Sequence, residues 1–179
     1  MSAAGPTSAG GSLLKTAVLI GAGRMGSAMA RGWLSDLGAA GLKKLIVVEP
    51  SPGEDVIEAE RQKLITLNSK PSPTEIVVLA IKPQGFSAAA EGLKAWVGPD
   101  TLIVSIMAGI SIARISSALG SARVARAMPN TPGAIGMGAT GFALSDACSH
   151  ADSRAASNLL EPLGLVIGPL PESQMDVVT

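Results

Sequence analysis

Gly21, Gly23 and Gly26 stand in the spacing G-x-G-x-x-G between a short apolar run and a stretch rich in Ala and Met. This pattern can hold a diphosphate without any charged side chain. The first glycine permits a tight turn out of a strand. The second lets the main chain approach a pyrophosphate, and the third lets helix and strand pack closely. A helix starting near Arg24 would aim its unpaired N–H groups and positive dipole end at the phosphates. The same spacing also occurs in purely structural turns, so its meaning depends on a strand before it, a helix after it and an acid at the next strand end.

Other polar residues fall where such a fold needs them. Glu49 lies close to where a dinucleotide fold places the acid that binds the adenosine ribose, about 20 residues past the glycines. Its carboxylate would accept from the 2′ and 3′ hydroxyls and repel a 2′-phosphate; the alternative is a solvated acid at a strand end. Ser51 can hydrogen-bond either a hydroxyl or a phosphate. Lys82 follows the most apolar run in the chain, so it either faces the crevice at the strand ends or snorkels to the surface. Met107-Ala108-Gly109 offers small residues against which a planar ring can lie. In Met128-Pro129-Asn130-Thr131-Pro132, two prolines hold an amide and a hydroxyl in place at reduced entropic cost.

The elements that must position these residues alternate. Strands are expected at Thr16–Ile20, Leu45–Val48, Leu64–Leu67, Glu75–Ile81, Thr101–Ile106, Arg123–Ala127, Ala139–Leu144 and Leu165–Ile167. Helices are expected from Arg24, over Glu54–Lys63, over Phe86–Trp96 with Gly98-Pro99 closing it, over Ile112–Leu119 behind a Ser111 cap, and over Asp152–Leu163. Met25, Met29 and Trp33 recur at the helical period and read as core rather than as a pocket lining. The repeated strand–helix alternation predicts an α/β, doubly wound, mostly parallel sheet of Rossmann type. Residues 1–12 are expected to be a leader, 13–168 the dinucleotide-binding domain and 169–179 a linker.

Composition narrows the function. The 179 residues carry fourteen Lys and Arg against fourteen Asp and Glu, so no net field draws the chain to nucleic acid or an anionic membrane. The single cysteine, Cys148, excludes an internal disulfide framework and a cysteine-rich zinc site, and an intracellular compartment is the expectation. Nothing basic adjoins Cys148, and His150 reads as a surface residue near a helix cap. Apolar runs such as Ile76–Ile81 are strand-sized, far short of the roughly 20 residues that cross a bilayer. Residues 1–12 have neither a basic start nor an apolar core, so they do not read as a signal peptide. No metal cluster, carboxylate pair or nucleophile–base pair is evident, and no catalytic residue is assigned.

The combination IGAGRMGSAMARGW, VVEPSP, VLAIKPQ, VSIMAGISI and RAMPNTP resembles pyrroline-5-carboxylate reductase, with AIKPQ and MPNTP the most specific blocks. In that family a dinucleotide domain precedes an all-helical domain that forms the dimer and most of the substrate pocket. The resemblance runs from Thr16 to Thr179 and stops before that second, all-α domain, so the chain is expected to be the cofactor part of a longer enzyme. It implies a cytoplasmic homodimer or higher homo-oligomer that uses NADPH or NADH to reduce 1-pyrroline-5-carboxylate to proline.

Carried over by position, Gly21, Ala22, Gly23, Arg24, Met25 and Gly26 would cradle the pyrophosphate. Ser51 and Asn68 would contact the adenosine half, although the loop after Asn68 is one residue shorter than usual in the family. Ala80, Ile81, Lys82, Pro83, Met107, Ala108 and Gly109 would line the passage to the nicotinamide. Asn130 would hold the carboxamide end, and Glu172 would sit at the domain junction. Glu49 departs from the small residue often found in relatives that accept NADPH, which leans the expectation towards NADH. A β-hydroxyacid or 6-phosphogluconate type dehydrogenase shares the opening motif but needs a catalytic lysine on a later helix. A non-catalytic NAD(P)-binding module is the third reading.

Overall fold

The β-branched and leucine-rich runs form strands buried on both faces, as expected of a parallel sheet covered by helices. In the computed structural model, which describes residues 14–177, eight strands make one sheet in the order β3-β2-β1-β4-β5-β6-β7-β8. The strands are β1 (Lys15–Ile20), β2 (Leu42–Val48), β3 (Thr66–Leu67), β4 (Thr74–Leu79), β5 (Val97–Ser105), β6 (Val124–Pro129), β7 (Gly138–Leu144) and β8 (Gly164–Ile167). Strands β1 to β6 are mutually parallel. β7 pairs antiparallel to β6, and β8 runs with β7. The helices are α1 (Arg24–Ser35), α2 (Glu54–Arg61), α3 (Phe86–Leu93), α4 (Ile112–Leu119) and α5 (His150–Leu160). The expected leader lies outside the described residues, as do Leu13 and residues 178–179 of the expected linker.

Period-two alternation along the central strands sends successive residues to opposite cores. Ala17, Leu19, Ile76 and Val78 join Met29 and Trp33 of α1 and Leu159 of α5 on one face. Val18, Ile20, Val77 and Leu79 join Phe86 of α3 and Ile115 of α4 on the other. Trp33 is fully buried, and its Nε1–H donates to the Leu159 carbonyl at 2.9 Å, which ties α1 to α5. Met29 and Trp33 are therefore core, while Met25 is only half-buried.

Several boundaries differ from expectation for local reasons. β2 begins at Leu42 because the exposed Lys43 and Lys44 hide its apolar pattern. α2 ends at Arg61, ahead of Lys63 with its positive φ of 59°. β3 shrinks to Thr66–Leu67, and the helix after Phe86 tightens to a 3₁₀ turn at Lys94–Trp96. Gly98-Pro99 does not close that helix but lies inside β5. α5 starts at His150 rather than Asp152. Its cap is Ser149, whose Oγ accepts the Asp152 N–H while the Asp152 carboxylate accepts the Ser149 N–H, a capping box.

Register places the site. Val48, Ile20 and Leu79 stand level at the ends of β2, β1 and β4, and Ser105 and Arg126 continue the line on β5 and β6. The loops that follow, each carrying candidate residues, therefore emerge along one edge of the sheet.

Candidate functional site

The glycine turn is shaped by three different constraints. Gly21 has φ +93°, and an added Cβ would stand 2.8 Å from the Ala80 carbonyl oxygen, so the turn is pressed onto the end of β4. At Gly26 an added Cβ would meet the Gly21 carbonyl oxygen at 2.3 Å. Gly23 is different: its φ of −68° suits any residue, and an added Cβ would meet nothing within 4 Å. Neither the backbone nor the packing of this chain requires glycine at position 23. A ligand lying against the exposed main chain would require it.

Gly23 is also the N-cap of α1, with no side-chain cap and no acid in the first turn. Opening N–H groups of a helix have no intrahelical acceptor and carry the positive end of the dipole. An anion fits there. Arg24 is exposed beside this end, and half-buried Met25 approaches Gly133 of the β6–β7 turn, with Sδ 3.7 Å from where a Cβ there would lie.

Below the turn is a cavity of about 410 Å³ between the ends of β1, β2 and β4 and the second half of α3. Of the expected residues, Gly21, Gly23, Glu49, Ala80, Ile81 and Lys82 line it. Ile20, Val48, Pro50, Ala89 and Leu93 complete its walls and were not anticipated as site residues. Their signal was present: Ala89 and Leu93 are spaced i, i+4 on the helix that follows Lys82-Pro83. Apolar walls with a carboxylate at the rim suit a planar base joined to a ribose.

Glu49 is firmly held. Its Oε2 accepts the Ala22 N–H at 2.8 Å and its Oε1 accepts the Ser51 N–H at 3.0 Å. Asn68, in a left-handed conformation with φ 48°, grips the Glu49 main chain: its Oδ1 accepts the Glu49 N–H at 2.9 Å and its Nδ2 donates to the Glu49 carbonyl at 3.0 Å. Ser51 is exposed next to Pro50, and the Ala22 side chain is buried in the core.

The remaining candidates lie farther along the same edge. Met107 turns its side chain into the core, and its N–H donates to Ser105 Oγ at 3.2 Å, while Ala108 and Gly109 are exposed. Asn130 Oδ1 accepts the Ala139 N–H at 2.9 Å, which fixes the turn between β6 and β7. Pro83 opens the 3₁₀ turn after Lys82. Glu172 does not line the cavity. Its Oε1 accepts the Ile112 N–H of α4 at 2.7 Å and lies 3.5 Å from the buried Arg126 guanidinium. Among the described residues, no group of three or more His, Cys, Asp or Glu could hold a metal ion.

Comparison with known proteins bears on the fold and the family. The chain is 32% identical over 173 residues to the pyrroline-5-carboxylate reductase of Pseudomonas aeruginosa, covering 89% of this chain and 59% of that protein. It is 32% identical over 171 residues to pyrroline-5-carboxylate reductase 2 of Bacillus subtilis, covering 93% of this chain and 60% of the relative. The solved pyrroline-5-carboxylate reductase of Coxiella burnetii superposes with a TM-score of 0.79 at 25% identity, covering 91% of this chain and 62% of that one. The chain thus spans about 60% of the length of the curated relatives it matches. Residues 15–109, from β1 through the loop after β5, match the family described as NADP oxidoreductase, coenzyme F420-dependent, and the chain belongs to that family.

Proposed function

We propose that this chain binds NADPH or NADH and forms the cofactor half of an enzyme that reduces 1-pyrroline-5-carboxylate to proline. Gly23 carries the cofactor assignment: it is a glycine the protein's own backbone and packing do not need, at the uncapped start of α1. Gly21 to Gly26 would hold the pyrophosphate, the cavity beside Glu49 the adenosine, and Ala80–Pro83 with Ala108–Gly109 the approach to the nicotinamide. The substrate assignment rests on the similarity to pyrroline-5-carboxylate reductases over some nine-tenths of the chain.

When bound, a reduced nicotinamide would supply a hydride for the C=N carbon of an imine whose nitrogen already carries its proton. The residues described here would bind, orient and dry that site. A protonated cyclic imine is already electrophilic, so positioning accounts for most of what the protein must add. Lys82, exposed at the cavity wall, fits electrostatic positioning better than proton transfer. Groups that hold the substrate carboxylate would come from a further, helical domain, and a homodimer or higher homo-oligomer in the cytoplasm is the proposed setting. Among the described residues no helix is long and apolar enough to cross a membrane.

Turnover tests this assignment. A polypeptide that joins this chain to a helical domain of such a reductase should oxidise NADH or NADPH only when 1-pyrroline-5-carboxylate is added, yielding proline. The 179-residue chain alone should bind the dinucleotide without turnover. A joined polypeptide that binds dinucleotide yet leaves it unoxidised in the presence of the imine would support a binding module instead.

A further inference from the structure

We infer that β8 is an association edge, at which two copies of this chain pair antiparallel about a twofold axis at Val166. The inference stands apart from the dinucleotide assignment, because β8 closes the sheet at the end away from the cavity beside β1, β2 and β4. Among the described residues seven large apolar side chains are exposed. Four of them gather here: Ile135 (75%), Met137 (77%), Leu165 (64%) and Ile167 (43%). Leu165 and Ile167 alternate with half-buried Val166, which packs on the core beneath α1 and α5, so both stand on the other face of β8. Ile135 and Met137 flank Gly136, where an added Cβ would stand 3.3 Å from the Pro162 carbonyl oxygen just ahead of β8.

The edge itself is unguarded. Edge strands present unpaired main-chain N–H and C=O groups, and proteins ordinarily blunt them with charge, brevity or a covering element. The opposite edge, β3, is two residues long and lies between Lys63 and Lys70. β8 has four residues, and no charged residue stands between Glu161 and Glu172. Groups on a strand edge are met by another strand, which a helix cannot supply because its own main chain is already paired. A second β8 meets them in a self-complementary register. With Val166 on the axis, Leu165 of each copy faces Ile167 of the other, and the exposed side chains become cross-strand neighbours. Ile135 and Met137, beside the start of one β8, come next to Ile167 at the end of the other. Pro162 and Pro169 confine the pairing to the strand between them. The four side chains expose roughly 300 Å² of apolar surface in each copy. Pairing covers both patches and both edges, on the order of 1,000 Å² in all, the lower limit of a specific interface. A weak dimer follows, with a dissociation constant on the order of 10–100 µM.

Sedimentation equilibrium of the 179-residue chain from about 5 to about 300 µM tests this, and the mass should rise from one chain towards two. Leu165→Lys and, separately, Ile167→Lys put a charge on an exposed position of the edge. Each should weaken the dimer at least about tenfold and leave the thermal midpoint of the dilute chain unchanged. Mild oxidation reads the register. A mixture of Leu165→Cys and Ile167→Cys should crosslink above the wild-type level and neither variant alone should, because only opposed residues come within disulfide reach. This arm decides the matter should a lysine variant fail to fold. A wild-type chain that stays monomeric over the whole range would overturn the proposal, as would a dimer that survives both lysine substitutions. Crosslinking of each cysteine variant with itself, as strong as that of the mixture, would overturn the antiparallel register.

Discussion

An added Cβ on Gly26 would stand 2.3 Å from the carbonyl oxygen of Gly21, so the first turn of α1 is pressed against the loop it follows. The obstacle is the Gly21 main chain, with the Ala80 Cβ at 3.3 Å beside it, and neither can swing away. Gly26→Ala should therefore destabilise the fold by about 3 kcal/mol, within the range for overpacking a tight site. Urea unfolding at unchanged slope checks this. Stability within about 0.5 kcal/mol of wild type would mean that the helix is not seated as described.

Trp33→Phe keeps a ring in the core between α1 and α5 but removes the donor to the Leu159 carbonyl. A buried acceptor left unpaired, together with the lost volume, should cost about 2–3 kcal/mol. The same unfolding measurement reads it. An unchanged midpoint would show that the indole N–H contributes nothing there.

Asp152 gives the fold an acid limb. Burial alone would raise its carboxyl, but hydrogen bonds from Arg123 and Ser149 outweigh that and hold it below the ordinary carboxylate range. A group whose folded pKa is depressed stabilises fully above its unfolded value, near about 4, and loses that contribution as pH falls through the folded value. Stability should accordingly drop on acidification from about pH 5 downward. Asp152→Asn should flatten that drop and cost about 2 kcal/mol at pH 7, since Arg123 keeps some exposure but loses its partner. Thermal unfolding from pH 7 to pH 3 checks both. An acid limb of unchanged steepness in the variant would refute the pairing as its source.

The parts of this fold legible in the sequence are those written within a few consecutive residues. The glycine spacing, the apolar run at Ile76–Leu79 and the loop after Lys82 each announce themselves locally, and Gly21 and Gly23 line the cavity together with Ala80, Ile81 and Lys82, which lie between that run and that loop. The reversal at β7 has a local cause that is easier to miss. Only the short segment from Asn130 to Met137 joins β6 to β7, and a parallel return needs a longer crossover. Other features depend on partners far apart in the chain. Nothing near Asn68 indicates that its amide grips the Glu49 main chain, because the neighbouring ends of β2 and β3 bring the two together. Likewise the tie between Glu172 and the Ile112 amide joins residues from distant parts of the chain. Gly23 was legible as a motif member. Only the space around it shows that the fold itself does not require glycine there.

That distinction can be measured at a single residue. In Gly23→Val the new side chain enters open space in the free protein, so the variant should fold with stability within about 1 kcal/mol of wild type. The same side chain should collide with a pyrophosphate lying on the turn and weaken NADH and NADPH binding by at least about a hundredfold, or nearly 3 kcal/mol. Titration of the folded variant beside the wild type decides the matter. Loss of dinucleotide binding with the fold intact is the predicted result, and undiminished affinity in the folded variant would contradict it.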